Sequence, residues 1–118
     1  MRSFLRGRLS GVGFAAKGAF MLLRNEASIQ VQAVIAVLIT IAGFYFNLST
    51  TEWMMQIFAI GLVMGTEGLN TAIEEMANFV HPDFHKKIGY IKDVAAGAVF
   101  FSALTAIIIG CFIYFPKF

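Results

Sequence analysis

Apolar residues run almost unbroken from Ile29 to Phe46, relieved only by Gln30, Gln32 and Thr40. A second run opens at Trp53 and is interrupted only by Gln56 as far as Met64. The same helical pattern then continues to Val80 but changes character, carrying Glu67, Asn70, Thr71, Glu74, Glu75 and Asn78. A third run, Val94 to Phe115, contains no charged residue. A bilayer core of about 30 Å is crossed by ~20 helical residues, so helical spans over 29–46, 53–80 and 92–115 are predicted.

The N-terminal stretch 1–27 has a different pattern. At 100° per residue, Arg6, Ser10, Gly13, Lys17 and Arg24 share one narrow stripe. Leu5, Leu9, Val12, Ala16, Phe20 and Leu23 form another beside it. Such a helix lies in the membrane interface, its cations towards headgroups or a phosphate ligand. Gly11, Gly13 and Gly18 weaken it, because glycine disfavours a helix interior relative to alanine. Lys17 splits the apolar part and no small-x-small pattern precedes "RNEAS", so a cleaved signal is not expected.

Composition supports a membrane setting. Of the 118 residues, 58% are hydrophobic and 14% charged, with a mean hydropathy of +0.76. A soluble domain this small would need far more polar surface. The predicted fold is a single all-α membrane domain over 1–118: an interfacial amphipathic helix and three transmembrane helices. The net charge of +2 is too small to suggest a nucleic-acid partner. Cys111 is the only cysteine, which excludes an intrachain disulfide.

The basic residues set the orientation. Arg2, Arg6, Arg8, Lys17 and Arg24 precede the first span, and Lys86, Lys87 and Lys92 precede the third. The connection "NLSTTE" has no Lys or Arg. The positive-inside rule therefore predicts a cytoplasmic N-terminus and a cytoplasmic loop before the third span.

The acidic face of the second span needs a physical reason. Glu67, Asn70, Thr71, Glu74 and Asn78 follow spacings that keep them on one side of a helix, turned towards other helices. Glu75 lies 100° from Glu74 and reaches for the headgroups. Packing accounts for Asn70 and Thr71, since such groups bond between membrane helices. A carboxylate below the interface requires a proton, a cation or a metal. Oxygen-only ligands suit hard Mg²⁺. Glu26, at the inner end of the first span, and Lys92–Asp93, at the start of the third, bring further charge to the same cytoplasmic layer. Mg²⁺ beside a lysine is a phosphate-handling combination. His81 and His85 flank Pro82 and are expected as solvated loop residues. No G-x-x-x-x-G-K-[ST] motif occurs, so a nucleotide would have to be held by the helices and their cytoplasmic ends.

The segments "RNEASIQVQ", "EGLNTAIE" and "IKDVAAGA" resemble the prokaryotic diacylglycerol kinase family, which includes undecaprenol kinase. Order, spacing and the three-span pattern agree over nearly the whole chain, most loosely at "RLSGVGFAAKGAF". The resemblance implies a homotrimeric membrane kinase in the bacterial cytoplasmic membrane, moving the γ-phosphoryl of Mg·ATP onto a lipid hydroxyl. It implies that Glu67 is the general base, with Asn70 beside it, and that Glu26 and Glu74 bind the metal. It places Lys92 and Asp93 at the ATP phosphates, Asp83, Phe84 and His85 against the nucleotide, and Arg8 more loosely near ATP. Glu67 and Gln32 then face the lipid substrate. Two departures stand out. Asn78 occupies a position where the family frequently has Asp, and Gln30 and Gln32 replace a charged pair found in some relatives. The loop "HPDFHKKIGYIKD" is nearer to undecaprenol kinases and tilts the acceptor towards a polyprenol.

Two readings compete. A small proton-coupled transporter would use Glu67 but leaves Glu26 and Lys92–Asp93 without a shared task. A structural membrane oligomer would use the Asn/Thr face for adhesion and leave Glu67 without a role.

Overall fold

The computed structural model describes residues 1–118 as four α-helices and a terminal 3₁₀ turn, without strands. Helix α1 spans Arg2–Asn25, α2 Ala27–Tyr45, α3 Thr50–Val80 and α4 Lys86–Tyr114. Helix α3 is the element against which both α2 and α4 pack. At 31 residues it is about 46 Å long. The molecule measures 49 × 47 × 23 Å, so α1 projects sideways from this long axis.

The helices begin and end for identifiable reasons. Glu26, with φ −106° and ψ 115°, is the single extended residue between α1 and α2 and makes the corner. Helix α2 closes in a Schellman arrangement, with Leu48 N–H to Gly43 O at 3.1 Å and Asn47 N–H to Phe44 O at 3.4 Å. Asn47 takes the left-handed φ of 54° that this ending demands, a conformation asparagine tolerates better than most residues. Helix α3 opens on a capping box. Ser49 Oγ accepts from Glu52 N at 3.2 Å, and Glu52 Oε1 accepts from Ser49 N at 2.9 Å. The motif Ser49–Thr50–Thr51–Glu52 announces that start, three residues before the predicted one. His85 caps α4, its Nδ1 accepting from Lys87 N at 3.0 Å, so the helix starts six residues before Lys92. The predicted loop before the third span is therefore largely helix. The glycines of α1 do not break it, and its apolar stripe stays exposed, with Leu9 at 71% and Phe20 at 61%.

Two segments are long and apolar enough to cross a membrane, Ala27–Tyr45 and Lys86–Lys117. Helix α3 has the length, but its polar residues dilute its hydropathy. Apolar side chains cover much of the bundle's exterior, among them Phe44, Ile57, Leu69 and Phe101. This is the inverse of a soluble fold and suits hydrocarbon or other apolar helices as surroundings.

Polar ties fix the bundle in register. At the end remote from Glu67, Gln56 Nε2 donates to Ile39 O at 3.1 Å, and the Tyr114 hydroxyl reaches both Gln56 Oε1 and Ile39 O. Three helices are thereby joined at one point. Midway, Thr66 Oγ1 and Ser102 Oγ lie 2.7 Å apart, linking α3 to α4. Gly43 admits the Trp53 indole so closely that a Cβ there would lie 2.5 Å from a ring atom.

Candidate functional site

Glu67 and Asn70 sit one turn apart on α3 and are both more than nine-tenths buried, with 9% and 8% exposure. Each is turned inward, as the polar spacing predicts. Glu67 Oε2 accepts from Gln32 Nε2 of α2 at 3.4 Å, a long bond across the α2–α3 junction. Asn70 Nδ2 donates to Glu74 Oε1 at 3.2 Å. Thr71 Oγ1 bonds back to Glu67 O at 3.1 Å and so belongs to the helix's own backbone. The polar stripe thus divides. Its inner part is buried, while Glu74, Glu75 and Asn78 emerge on the surface towards the C-terminal end of α3.

Two buried acceptors, Gln32 Oε1 and Asn70 Oδ1, have no hydrogen-bond partner. A buried polar atom left unpaired is costly. Both belong to amides whose nitrogens already bond to carboxylates, Glu67 and Glu74, so the acceptor sides are open to a hydroxyl, an ammonium or a cation. The carboxylates are equally uncompensated. The only ion pair in the chain joins Lys117 to Glu52, and no lysine, arginine or histidine nitrogen lies within 4.0 Å of Glu26, Glu67, Glu74 or Glu75. This oxygen-rich, cation-poor group fits a hard divalent ion in donor type. Within the chain no three His, Cys, Asp or Glu side chains converge on one point, so Glu26 and Glu74 would hold such an ion only with oxygens from other sources.

The surrounding elements complete the setting. Glu26 is half-buried at the α1–α2 corner. The end of α1 folds over α3 beside Glu67, since Leu22 Cδ1 lies 2.9 Å from where a Cβ on Gly68 would stand. From the other side, Lys92 Nζ of α4 donates to Asn78 Oδ1 of α3 at 2.6 Å. Asp93 is exposed one residue on. The connection between α3 and α4 holds Asp83, Phe84 and His85. Phe84 is 91% exposed, and Asp83 O contacts His81 Nδ1 at 2.8 Å. The rings of His81 and His85 lie 5.3 Å apart, with His85 exposed and His81 half-buried. His85 also serves the start of α4, a role the sequence reading missed because His is not among the favoured N-cap residues and the two lysines after it oppose the helix dipole. Arg8 lies on α1, its guanidinium 5.1 Å from the Phe4 ring.

An apolar cleft of about 490 Å³ lies between α2, α3 and α4. Ile35, Ile39, Val63, Met64 and Ile107 line it, with Gln32 as its polar contact on α2 and Gln56 with Tyr114 as another polar group in its wall. Gln32 therefore touches both the cleft and Glu67.

The sequence that builds this site matches known proteins over most of its length. Residues 13–114 match the family model described as prokaryotic diacylglycerol kinase. The undecaprenol kinase of Bacillus subtilis (strain 168) is 38% identical over 103 residues, covering 87% of this chain and 84% of the relative. The diacylglycerol kinase of Escherichia coli (strain K12) is 26% identical over 110 residues, covering 93% and 90%. That of Haemophilus influenzae is 22% identical over 108 residues, covering 91% and 92%. With Glu26, Glu67, Asn70, Glu74, Lys92 and Asp93 all inside the matched region, the chain belongs to the prokaryotic diacylglycerol kinase family of membrane lipid kinases.

Proposed function

We propose that this lipid kinase transfers the γ-phosphoryl of Mg·ATP to the hydroxyl of a membrane lipid, a polyprenol such as undecaprenol in preference to diacylglycerol. The observation that carries the reading is the buried Glu67, its side chain bonded only by the amide of Gln32, which itself lines an apolar cleft. The hydrocarbon of a lipid is compatible with that cleft, and a hydroxyl at its polar margin would meet the carboxylate. The greater identity to the Bacillus undecaprenol kinase than to the two diacylglycerol kinases favours the polyprenol.

In this reading Glu67 accepts the hydroxyl proton as the lipid oxygen bonds to the γ-phosphorus. The bond from that phosphorus to the β,γ-bridging oxygen breaks, and ADP leaves with the electron pair. Gln32 orients Glu67, and the free Asn70 Oδ1 accepts a hydrogen bond from the incoming group. Glu26 and Glu74 would hold Mg²⁺, which supplies charge stabilisation for the phosphates when bound. Lys92 contributes a positive charge at the phosphates, with Asp93, Asp83, Phe84, His85 and Arg8 around the nucleotide. Most of the catalysis is positioning and electrostatics, which a small helical scaffold can supply. The chain is read as one domain with α1 in the interface and α2, α3 and α4 spanning the bacterial cytoplasmic membrane, N-terminus inside. A homotrimer would cover the apolar exterior and bring acidic and basic groups of neighbouring copies together. The transporter alternative gains nothing from the family match.

The test offers purified protein γ-labelled ATP and Mg²⁺ with undecaprenol and diacylglycerol in separate vesicles. Label appearing faster in undecaprenol phosphate is expected. Equal or faster labelling of diacylglycerol would overturn the acceptor preference, and no labelling of any lipid would overturn the kinase reading.

A further inference from the structure

We propose that Asn78 is a positioning residue for Lys92, aiming its ammonium group at the nucleotide phosphates while leaving its charge uncancelled. The proposal rests on the reading of Lys92 as a phosphate contact and adds what makes that lysine effective.

The two residues come from different helices. Asn78 lies two residues before the end of α3, and Lys92 lies in the second turn of α4. Ala77, next to Asn78, and Ala95, three residues beyond Lys92, are both buried, the kind of small residue that lets helices approach closely. Across this junction Lys92 Nζ donates to Asn78 Oδ1 at 2.6 Å, the only side-chain bond joining the cytoplasmic ends of α3 and α4. A lysine tail has four rotatable bonds, and an anchor at its tip removes much of that freedom. The bond uses one of three ammonium donors, so two stay available.

The chemistry of the anchor matters as much as its place. No carboxylate lies within 4.0 Å of Lys92. An amide oxygen accepts a charge-assisted hydrogen bond yet carries no net charge, so the full positive charge remains for an incoming anion. An aspartate at the same place would hold the lysine as firmly and pair with it, weakening its attraction for phosphate. Asn78 is exposed on the helix surface, and its substitution leaves the buried core untouched.

The experiment measures the Kd of Mg·ATP by calorimetry, together with KM and kcat, on the full-length protein in detergent. The variants are Asn78→Asp, Asn78→Ala, Lys92→Met and the double variant Asn78→Asp/Lys92→Met. Asn78→Asp is expected to raise Kd and KM for Mg·ATP about fivefold at low salt, shrinking as salt is added. Asn78→Ala keeps the charge and loses only the aim, and is expected to raise Kd about twofold. In the Lys92→Met background, Asn78→Asp is expected to change Kd little. Equal weakening by Asn78→Asp with and without Lys92 would mean that the new carboxylate repels the nucleotide directly, and would overturn the proposal. If Lys92→Met weakens binding but Asn78→Asp does not, the positioning role fails while the phosphate contact stands. If Lys92→Met leaves Kd unchanged, the phosphate contact itself fails and the positioning role with it.

Discussion

Gln32 of α2 donates its amide to Glu67 of α3 at 3.4 Å, the bond that holds the most buried carboxylate of the chain from outside its own helix. The same amide leaves its oxygen unpartnered beside the apolar cleft. One side chain thus touches both the acid and the space from which a lipid hydroxyl would arrive.

Gln32→Leu keeps the volume and removes this bond. The expected result is a fall in kcat of about tenfold with little change in KM for ATP, because a misplaced base slows transfer without touching nucleotide binding. Steady-state kinetics with ATP and lipid varied separately checks this.

Glu74 and Glu26 are proposed to hold the metal. Glu74→Gln and Glu26→Gln are each expected to raise the Mg²⁺ concentration for half-maximal activity at least about tenfold, with ATP held constant. A Mg²⁺ titration of the initial rate reads the shift directly, and an unchanged midpoint would remove that residue from the metal site.

The tie between Gln56, Tyr114 and Ile39 O lies at the far end of the bundle. Tyr114→Phe removes one hydroxyl and is expected to lower stability by about 1 kcal/mol, within the range for a bond between membrane helices. Gly43→Val forces a side chain into the Trp53 ring and is expected to cost about 1–3 kcal/mol. Thermal unfolding in detergent ranks the two variants against the parent chain.

Glu52 gives a pH dependence with a definite sign. The Ser49 backbone N–H, and after it the Lys117 ammonium, hold its carboxyl below the usual glutamate range. A depressed folded value contributes stability that is present above the ordinary glutamate value of about 4.3 and is lost as pH falls through the folded value. The melting temperatures of the parent chain and Glu52→Gln are therefore expected to differ at neutral pH and converge in acid below that range.

Much of this architecture was legible in the residues. Helical periodicity identified all four helices and the inward face of Glu67 and Asn70, because a 3.6-residue repeat states which side chains share a side. It does not state what that side meets. The Gln32–Glu67 and Lys92–Asn78 bonds depend on how the helices cross, which no local pattern encodes. Helix starts were read late for a different reason. Hydropathy marks where a segment becomes apolar, whereas Ser49 and His85 begin α3 and α4 by hydrogen bonding, inside polar stretches. The Ser49–Glu52 capping box was available in the sequence; the His81–His85 approach was not, since Pro82 lies between them. Glu74, expected on the same inward face as Glu67, emerges on the surface, while Ala77 is the residue of that end that α3 buries.

The central claim is that Glu67 takes the proton from a lipid hydroxyl during phosphoryl transfer. Its most direct test compares the parent chain with Glu67→Gln in identical vesicles containing undecaprenol, with saturating Mg·ATP and label followed into lipid. Glutamine keeps the size and can still meet Gln32, but it cannot accept a proton. A fall in kcat of about 10²–10⁴-fold, with Mg·ATP binding and helix content unchanged, is the predicted result. Transfer by Glu67→Gln at the parent rate would contradict the account.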